Sequence, residues 1–224
     1  MTMVNNKEIL RRLCQKSNEA RLVALENELQ NNNVKFENWN NMAVRIPGAA
    51  ENVVIVTAHF DAVEGSFGFN DNGMALVAAL NMCQQLPHDV EIIFTNDEEK
   101  GGGGAQYFLE HSSKHISGCV NLDVIGCFNQ IYLDCMNCSA AAALTNCKQG
   151  HMPFNDAWVF AEAGIPSVCF SSGPAEMTFQ RGIRAVCSTL HNGPNDNNIN
   201  LMNFKMIPEV ISQVRNVIEL MKSA

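Results

Sequence analysis

Several residues whose side chains can bind metal ions follow an apolar run in the first third of the sequence. His59 and Asp61 come shortly after residues 53–56, which are apolar and β-branched, as is typical of a strand buried on both faces. Asp71 follows in the segment Asn-Asp-Asn-Gly. Polar side chains just past the carboxyl end of a buried strand are the usual site pattern of an open α/β sheet. This stretch therefore predicts part of a metal site.

The same arrangement recurs later in the chain. Glu98 and Glu99 follow the apolar run 90–95, and Asp123 lies near the end of a third predicted strand, 119–124. His191 lies in the loop after the last predicted strand. Because the carboxyl ends of parallel strands meet along one edge of a sheet, we expect these residues to converge in a crevice.

The collected side chains are two histidines and several carboxylates. Zinc binds imidazole nitrogen and carboxylate oxygen, and a catalytic zinc site keeps one position open for water. Two metal ions ~3.5–4 Å apart that share one carboxylate explain why so many ligands are present. The residue types therefore predict a zinc site with room for two ions.

Strands alternate with helices along the whole sequence, and most strands are apolar on both faces. The predicted strands are 34–36, 42–46, 53–57, 90–95, 119–124, 131–135 and 167–170. The predicted helices are 7–29 with one break capped by Ser17, 74–86, 105–111, 139–147, 156–163 and 204–221. This order predicts an α/β fold with three α/β/α layers and a central mixed, mostly parallel sheet.

Length and composition set the class of protein. A chain of 224 residues with 46% apolar and 17% charged residues predicts a single domain, 1–224. The net charge of −8 argues against nucleic acid or an anionic membrane as a partner. No signal peptide or membrane-spanning run is found, and nine cysteines in mostly apolar contexts fit a reducing compartment, so we expect a cytoplasmic protein. The oligomeric state is left open.

Five motifs in order carry a resemblance to a known family. They are HFD, the Asn-Asp-Asn-Gly turn with Asp71, FTNDEEKGGGG, NLDVIG and LHNGPND. Together they resemble the di-zinc aminopeptidase family, metallopeptidase family twenty-eight, in which glutaminyl cyclases form a branch. The resemblance covers nearly the whole chain and implies the zinc-exopeptidase fold, which is of the phosphorylase/hydrolase-like type.

The resemblance also implies a role for each metal-binding residue. His59 and Asp123 would hold one zinc ion, and Glu99 and His191 a second. Asp71 would bridge both ions. The cofactor implied is therefore two zinc ions per chain.

Two further carboxylates receive roles in the implied reaction, which is hydrolysis of the first peptide bond of a peptide or small amino-acyl substrate. Glu98 would be the general base that takes a proton from the attacking water and passes it to the leaving amine. Asp61 would accept a hydrogen bond from the ring N–H of His59 and fix its orientation.

Departures from the family pattern keep alternatives open. Leu190 stands where the family often has a tyrosine, and Ala157 stands where a histidine is usual. These changes leave open a glutaminyl cyclase with one zinc ion, or a catalytically weakened relative that only binds peptides.

Two features receive structural interpretations. Asp156 is interpreted as the N-cap of the helix that starts at Ala157. Cys135 and Cys138, with Cys147 and His151 beyond them, form a possible second zinc site, but the favoured interpretation is that these thiols are free and buried.

Overall fold

The structure is a computed structural model that describes residues 6–152, 154–175 and 184–222. The first five residues, which belong to the segment where we predict no signal peptide, lie outside this range. The helices are α1 (Asn6–Leu13), α2 (Asn18–Asn31), α3 (Met74–Cys83), α4 (Gly103–His111), α5 (Ala141–Leu144), α6 (Asp156–Glu162) and α7 (Met206–Lys222). The strands are β1 (Glu37–Trp39), β2 (Ala43–Ile46), β3 (Asn52–His59), β4 (Val90–Thr95), β5 (His115–Leu122), β6 (Gln130–Cys135), β7 (Lys148–Gln149) and β8 (Ser167–Gly173).

The eight strands form one mixed sheet in the order β1-β2-β4-β3-β5-β8-β6-β7. Its centre is parallel, because β3 pairs in parallel with both β4 and β5, and β5 pairs in parallel with β8. The pairs β1-β2, β2-β4 and β6-β8 are antiparallel. The predicted α/β class with a mixed, largely parallel sheet is therefore confirmed.

Alternate residues of the central strand face two separate cores, which explains its continuous apolar sequence. Val54 and Val56 belong to the larger core, which also contains side chains from α1, α2, α3 and α7. Val53 and Ile55 belong to the smaller core, which contains Phe108 of α4 and side chains of α6. Helices thus cover both faces of the sheet and give three layers.

The register of the central strands places the predicted site residues along one edge. His59 is the last residue of β3 and is aligned with Thr95, the last residue of β4. Glu98 follows β4 by a short turn, and β5 ends at Leu122, immediately before Asp123. Three parallel strands therefore deliver three polar side chains to the same end of the sheet.

The first strand lies later in the chain than predicted. Residues 34–36 are outside β1, which begins at Glu37. The reason is the hairpin turn, in which Asn40 and Asn41 both have positive φ and Trp39 pairs with Ala43. This tight turn fixes the register of the pairing. Val34 and Phe36 instead pack half-buried against the larger core.

The alanine-rich segment is less helical than predicted. The prediction covered 139–147, but α5 contains only Ala141–Leu144 and is followed by the short strand β7. High alanine content favours a helix, yet a short helix needs tertiary packing to persist, and Ala141 is the only residue of α5 that is buried.

The break in the first predicted helix is confirmed. Its second half, α2, starts after Ser17, whose side chain accepts the backbone N–H of Ala20. Among the described residues, no helix combines the length and the apolar character needed to cross a membrane.

Candidate metal centre

Two groups of possible metal ligands lie side by side at the carboxyl edge of the sheet. One group contains His59, Asp71 and Asp123, and the other contains Asp71, Glu99 and His191. Within each group, one ligand atom from each residue lies within 4.8 Å of the others. The structure therefore brings together all five residues that the sequence proposed as metal ligands, and Asp71 belongs to both groups.

The two carboxylate oxygens of Asp71 face different histidines. Its Oδ1 lies 3.3 Å from His59 Nε2. Its Oδ2 lies 3.9 Å from His191 Nε2 and accepts the backbone N–H of His191 at 3.1 Å. A carboxylate that presents one oxygen to each group has the arrangement needed to bridge two cations.

The group around His59 is deeply buried. The side chain of His59 is 1% exposed and its Nε2 lies 3.4 Å from Asp123 Oδ1. Its Nδ1 is 3.1 Å from the backbone oxygen of Asp61 and 3.4 Å from the Asp61 carboxylate. Sequence analysis predicted that the Asp61 carboxylate is the hydrogen-bond partner of the His59 ring. The shorter contact of Nδ1 is instead to the backbone carbonyl of Asp61.

The carboxylate of Asp61 has a different set of partners. Its two oxygens accept the backbone N–H groups of Glu98 at 3.2 Å and Glu99 at 3.3 Å. Asp61 is fully buried. It therefore fixes the turn that carries both glutamates, in addition to contacting His59 through its carbonyl.

The group around His191 is more open. His191 Nε2 lies 3.3 Å from Glu99 Oε2, and the side chain of His191 is 63% exposed. His191 and Asn192 both have positive φ, in a turn closed by the Gly193 N–H donating to the Leu190 carbonyl at 2.7 Å. A Cβ at Gly193 would lie 2.6 Å from two backbone oxygens, so only glycine fits this turn.

The donor set fits metal ions. Three of its buried atoms have no hydrogen-bond partner among the described residues: His59 Nε2, Glu99 Oε1 and Asp123 Oδ1. Buried polar atoms are normally paired, because an unpaired one carries the full cost of leaving water. Imidazole nitrogen and carboxylate oxygen are also the ligands that zinc accepts. Cations bound in the two groups would give partners to these atoms, His59 Nε2 and Asp123 Oδ1 in one group and the Glu99 carboxylate in the other.

Electrostatics at the site also favour bound cations. Burial, together with repulsion from Asp123, raises the pKa of Glu98 to about 9 despite the attraction of His59. Burial and the negative charge of Asp71 raise the pKa of Glu99 to about 8. Burial opposes protonation of His59, but Glu98 and the other carboxylates outweigh it and raise the pKa of that imidazole well above 6.5. So many buried carboxylates are stable together as anions only beside compensating positive charge.

Asp196 supports the shared ligand, a role that the sequence motifs did not reveal. Its Oδ1 accepts the backbone N–H groups of Asn70 at 3.1 Å and Asp71 at 3.0 Å. Its Oδ2 accepts the hydroxyl of Ser66 at 2.6 Å. Asp196 is fully buried. It belongs to the same irregular segment as His191, so this segment holds Asp71 from two directions.

Arg21 is a second supporting residue that sequence reasoning missed. It lies on α2, is 1% exposed, and donates to the backbone oxygens of Phe60 and Phe67, the latter at 2.6 Å. Both carbonyls belong to the loop between His59 and Asp71. The helical pattern of α2 contained no signal that an arginine on it turns inward.

The N-cap prediction for Asp156 was wrong. The preceding Asn155 is the cap, and its side chain accepts the backbone N–H of Ala157 at 3.1 Å. Both residue types are good caps, so the sequence cannot choose between neighbours. Asp156 is fully buried instead and accepts the hydroxyl of Thr95. Burial, only partly offset by that hydrogen bond, raises the pKa of Asp156 to about 7.

The cysteine segment does not assemble a second metal site among the described residues. Cys135, Cys138 and Cys147 are free and half-buried. His151 is 93% exposed on its side chain and contacts Asp134 instead, with Nδ1 3.4 Å from Oδ1. The only groups of three or more potential ligands in the described residues are the two that share Asp71.

Comparison with known proteins identifies the family. The model of peptidase family M28 matches residues 41–200, which is most of the chain. The chain therefore belongs to this family, as its motifs indicated, and family membership supports a metallopeptidase activity.

Curated relatives share only part of the chain. The "Vacuolar membrane protease" of Debaryomyces hansenii is 35% identical over 112 residues, which make up 45% of this chain and 11% of that protein. The match thus covers a small share of the relative's length.

Solved structures share the fold at low sequence identity. BSAP, a zinc aminopeptidase from Bacillus subtilis, is 22% identical with a TM-score of 0.61, over 78% of this chain and 48% of that chain. A glutaminyl cyclase from Bacteroides thetaiotaomicron is 14% identical with a TM-score of 0.70, over 95% of this chain and 94% of that chain. These likenesses agree with the three-layer architecture described above.

Proposed function

We propose that the chain is a metal-dependent aminopeptidase that holds two zinc ions and releases the N-terminal residue of peptides or small amino-acyl substrates. The observation that carries this proposal is the position of Asp71, whose two oxygens face separate groups of ligands. A mononuclear site would have no use for the second group. We further propose that residues 1–224 act as one catalytic domain.

The two ions would have different protein ligands. His59 and Asp123 would complete one site, and Glu99 and His191 the other, with Asp71 shared. When bound, the ions supply Lewis-acid polarisation of the scissile carbonyl and acidify a water molecule.

Glu98 is the proposed general base. It lies outside both groups of ligands, but it lines a cavity of about 200 Å³ together with Asp71, Glu99, Asp123 and His191. Its Oε2 lies 3.9 Å from His59 Nε2. The hydrogen bonds from the backbone of Glu98 and Glu99 to Asp61 keep the free glutamate and the ligand glutamate in fixed relative positions. Glu98 would hold the proton taken from water on a carboxylate oxygen and then give it to the departing amine.

The restriction to N-termini would come from charge. Glu98 and Glu99, with Asp71 and Asp123, line the cavity with carboxylates. A free α-ammonium group is attracted to such a surface, while an internal peptide segment offers no positive charge there.

The test of this proposal measures metal and activity together. The purified protein should contain zinc and release free amino acids from the N-terminus of peptides, and chelator should abolish the release. Glu98→Gln should keep the zinc and lower kcat by at least about a hundredfold, since general base catalysis contributes about 10²–10⁴-fold. Release that is unchanged after removal of all transition metal, or in the Glu98→Gln variant, would contradict the proposal.

A glutaminyl cyclase is the second candidate. It is favoured by the similarity to the solved cyclase along almost the full length of both chains. This activity would use one zinc ion and convert N-terminal glutamine to pyroglutamate with release of ammonia. A peptide that begins with glutamine distinguishes the candidates, because hydrolysis of its first peptide bond yields free glutamine instead.

Two predictions from the sequence have their own tests. A relative that only binds peptides would retain peptides without turnover at every pH and with every metal tried. The cytoplasmic location also stays a prediction, and the name of the yeast relatives, which refers to a vacuolar membrane, gives the competing location to test by cell fractionation.

A further inference from the structure

Two asparagines, Asn70 and Asn72, flank the shared ligand Asp71, and both of their side chains are fully buried. Buried polar groups are normally hydrogen-bonded, because an unpaired one is costly. The amides of both asparagines bond to backbone groups of the segments that carry other proposed ligands. Asp71 therefore lies between two side chains whose hydrogen bonds reach different parts of the metal centre.

The amide of Asn72 holds the backbone on both sides of Asp123. Its Nδ2 donates to the carbonyl of Leu122 at 2.8 Å, and its Oδ1 accepts the backbone N–H of Val124 at 3.2 Å. Leu122 and Val124 are the immediate neighbours of Asp123 in the chain. Because one planar group binds both neighbours, Asn72 restricts where the carboxylate of Asp123 can lie relative to Asp71.

The amide of Asn70 reaches the segment that carries His191. Its Nδ2 donates to the carbonyl of Thr189 at 3.1 Å, two residues before His191. Its Oδ1 accepts the backbone N–H of Gly126 at 2.8 Å, in the loop after β5. An added Cβ at Gly126 would lie 2.9 Å from that oxygen, so glycine permits the close approach. Asn70 thus ties the irregular segment before His191 to a loop that continues from a central strand.

His191 depends on such backbone bonds because its side chain is 63% exposed and gains little support from packing. The backbone N–H of His191 donates to Asp71 Oδ2, which is itself an atom of a proposed ligand. The bond from Asn70 to Thr189 involves no atom of a proposed ligand. It can therefore hold the segment in place both before and after a metal ion binds.

We propose that Asn70 and Asn72 are positioning residues, each for a different metal ion. Asn72 orients Asp123 and so acts on the ion in the buried group. Asn70 orients the segment of His191 and so acts on the ion in the open group. This inference rests on the proposed two-zinc function. Residues that orient metal ligands typically change metal affinity by about 10–100-fold when they are lost.

The first test measures zinc binding to two alanine variants, which should lose affinity at opposite ions. Asn72→Ala should weaken the ion beside His59 by about 10–100-fold and change the other by less than about threefold. Asn70→Ala should do the reverse and weaken the ion beside His191. Competition with a chelator gives the affinities, and anomalous diffraction at one equivalent of zinc shows which ion each variant retains.

Asn137→Ala is the matched control. This exposed asparagine also joins two backbone groups, because its Oδ1 accepts the N–H of Ser167 at 2.6 Å and its Nδ2 donates to the carbonyl of Ile165 at 2.9 Å. Its partners lie between α6 and β8 and are not proposed ligands. Both zinc affinities of this variant should equal those of the wild type, although it loses the same kind of bonds.

The second test uses the wild-type protein and so does not depend on whether a variant folds. Hydrogen exchange of single amides is followed by NMR in the metal-free protein. The N–H groups of Val124 and Gly126, which donate to the two asparagines, should be protected before any zinc is added. Exchange as fast as in an unfolded chain, with protection only after zinc is added, would show that the metal orders these segments and would overturn the inference.

The outcomes separate this inference from the function on which it rests. If the wild-type protein binds fewer than two zinc ions, the two-zinc function and this inference both fail. If the wild type binds two ions and releases N-terminal residues, but both alanine variants weaken the same ion or neither differs from Asn137→Ala, the inference fails and the function stands.

Discussion

The two halves of the metal centre are built in different ways. The half around His59 is placed by the ends of central β-strands, and the side chain of His59 is 1% exposed. The half around His191 depends on an irregular segment, and the side chain of His191 is 63% exposed. Asp71 connects the two. The comparison indicates one group of possible ligands fixed by the sheet and a second group whose geometry depends on a loop.

The largest effect should follow from a change at the shared ligand. Asp71→Ala removes a carboxylate from both groups, so we expect both ions and all peptidase activity to be lost. Zinc content measured by mass spectrometry after dialysis against a zinc buffer tests this. Retention of one equivalent of zinc would show that one half is complete without Asp71.

Unequal effects are expected when each histidine is removed. His191→Ala should leave one zinc ion per chain, since the buried half keeps all three of its ligands. His59→Ala should lower the stability of the protein more than His191→Ala does, because it leaves Asp61, Asp71 and Asp123 buried without the imidazole.

The measurement for this pair is zinc stoichiometry together with thermal unfolding of both variants. His59→Ala should unfold at a lower temperature than His191→Ala. Equal zinc loss and equal Tm in the two variants would contradict the distinction between the halves.

The pH dependence of stability should reveal the titration of the buried carboxyl group of Asp156. Burial raises the pKa of Asp156 from 3.8 to about 7, so the folded state binds a proton that the unfolded state releases. The resulting stability is fully present below about pH 4 and is lost as pH rises through about 7.

Relative to Asp156→Asn, the metal-free wild-type protein should therefore lose up to about 1.4 kcal/mol of unfolding free energy per pH unit in that window. Urea unfolding at a series of pH values tests this. Parallel curves for the two proteins would mean that the carboxyl of Asp156 does not titrate with folding.

The smallest effect should come from the residue that supports the shared ligand. Asp196→Asn weakens the acceptor of the Asn70 and Asp71 backbone N–H groups, and we expect zinc affinity to fall by about 10–100-fold, as for other residues that orient metal ligands. Affinity is measured by competition with a chelator of known strength. Glu64→Gln, in an exposed part of the loop between His59 and Asp71, is the control and should bind zinc like the wild type.

The sequence predicted the ligands of the buried half better than the residues that hold ligands in place. His59 and Asp123 follow apolar strands whose pattern is readable locally, and the parallel register brings such ends together whatever the loops do. Asp196 could not be recognised in this way, because the partners of its Oδ1 are backbone N–H groups about 125 residues earlier in the chain. Backbone partners leave no mark on the sequence.

The positions of Met152 and Phe154 beside the cavity were missed for a related reason. Met152 and Phe154 lie in an irregular segment with no apolar periodicity, so nothing in the sequence indicates which side chains turn to the cavity. Their place depends on Asp134 and on the close approach of the Phe154 ring to Gly102. The same limit explains the later start of β1, where turn geometry outweighed the β-propensity of residues 34–36.

The central proposal is that Asp71 would bridge two ions held by ligand groups of unequal exposure. The most direct measurement is a crystal structure of the zinc-loaded protein with anomalous scattering collected at the zinc edge. We predict two anomalous peaks about 3.5–4 Å apart, with Asp71 between them and the peak beside His191 losing occupancy first on exposure to chelator. A single peak at full zinc loading, or two peaks that do not share Asp71, would contradict the account.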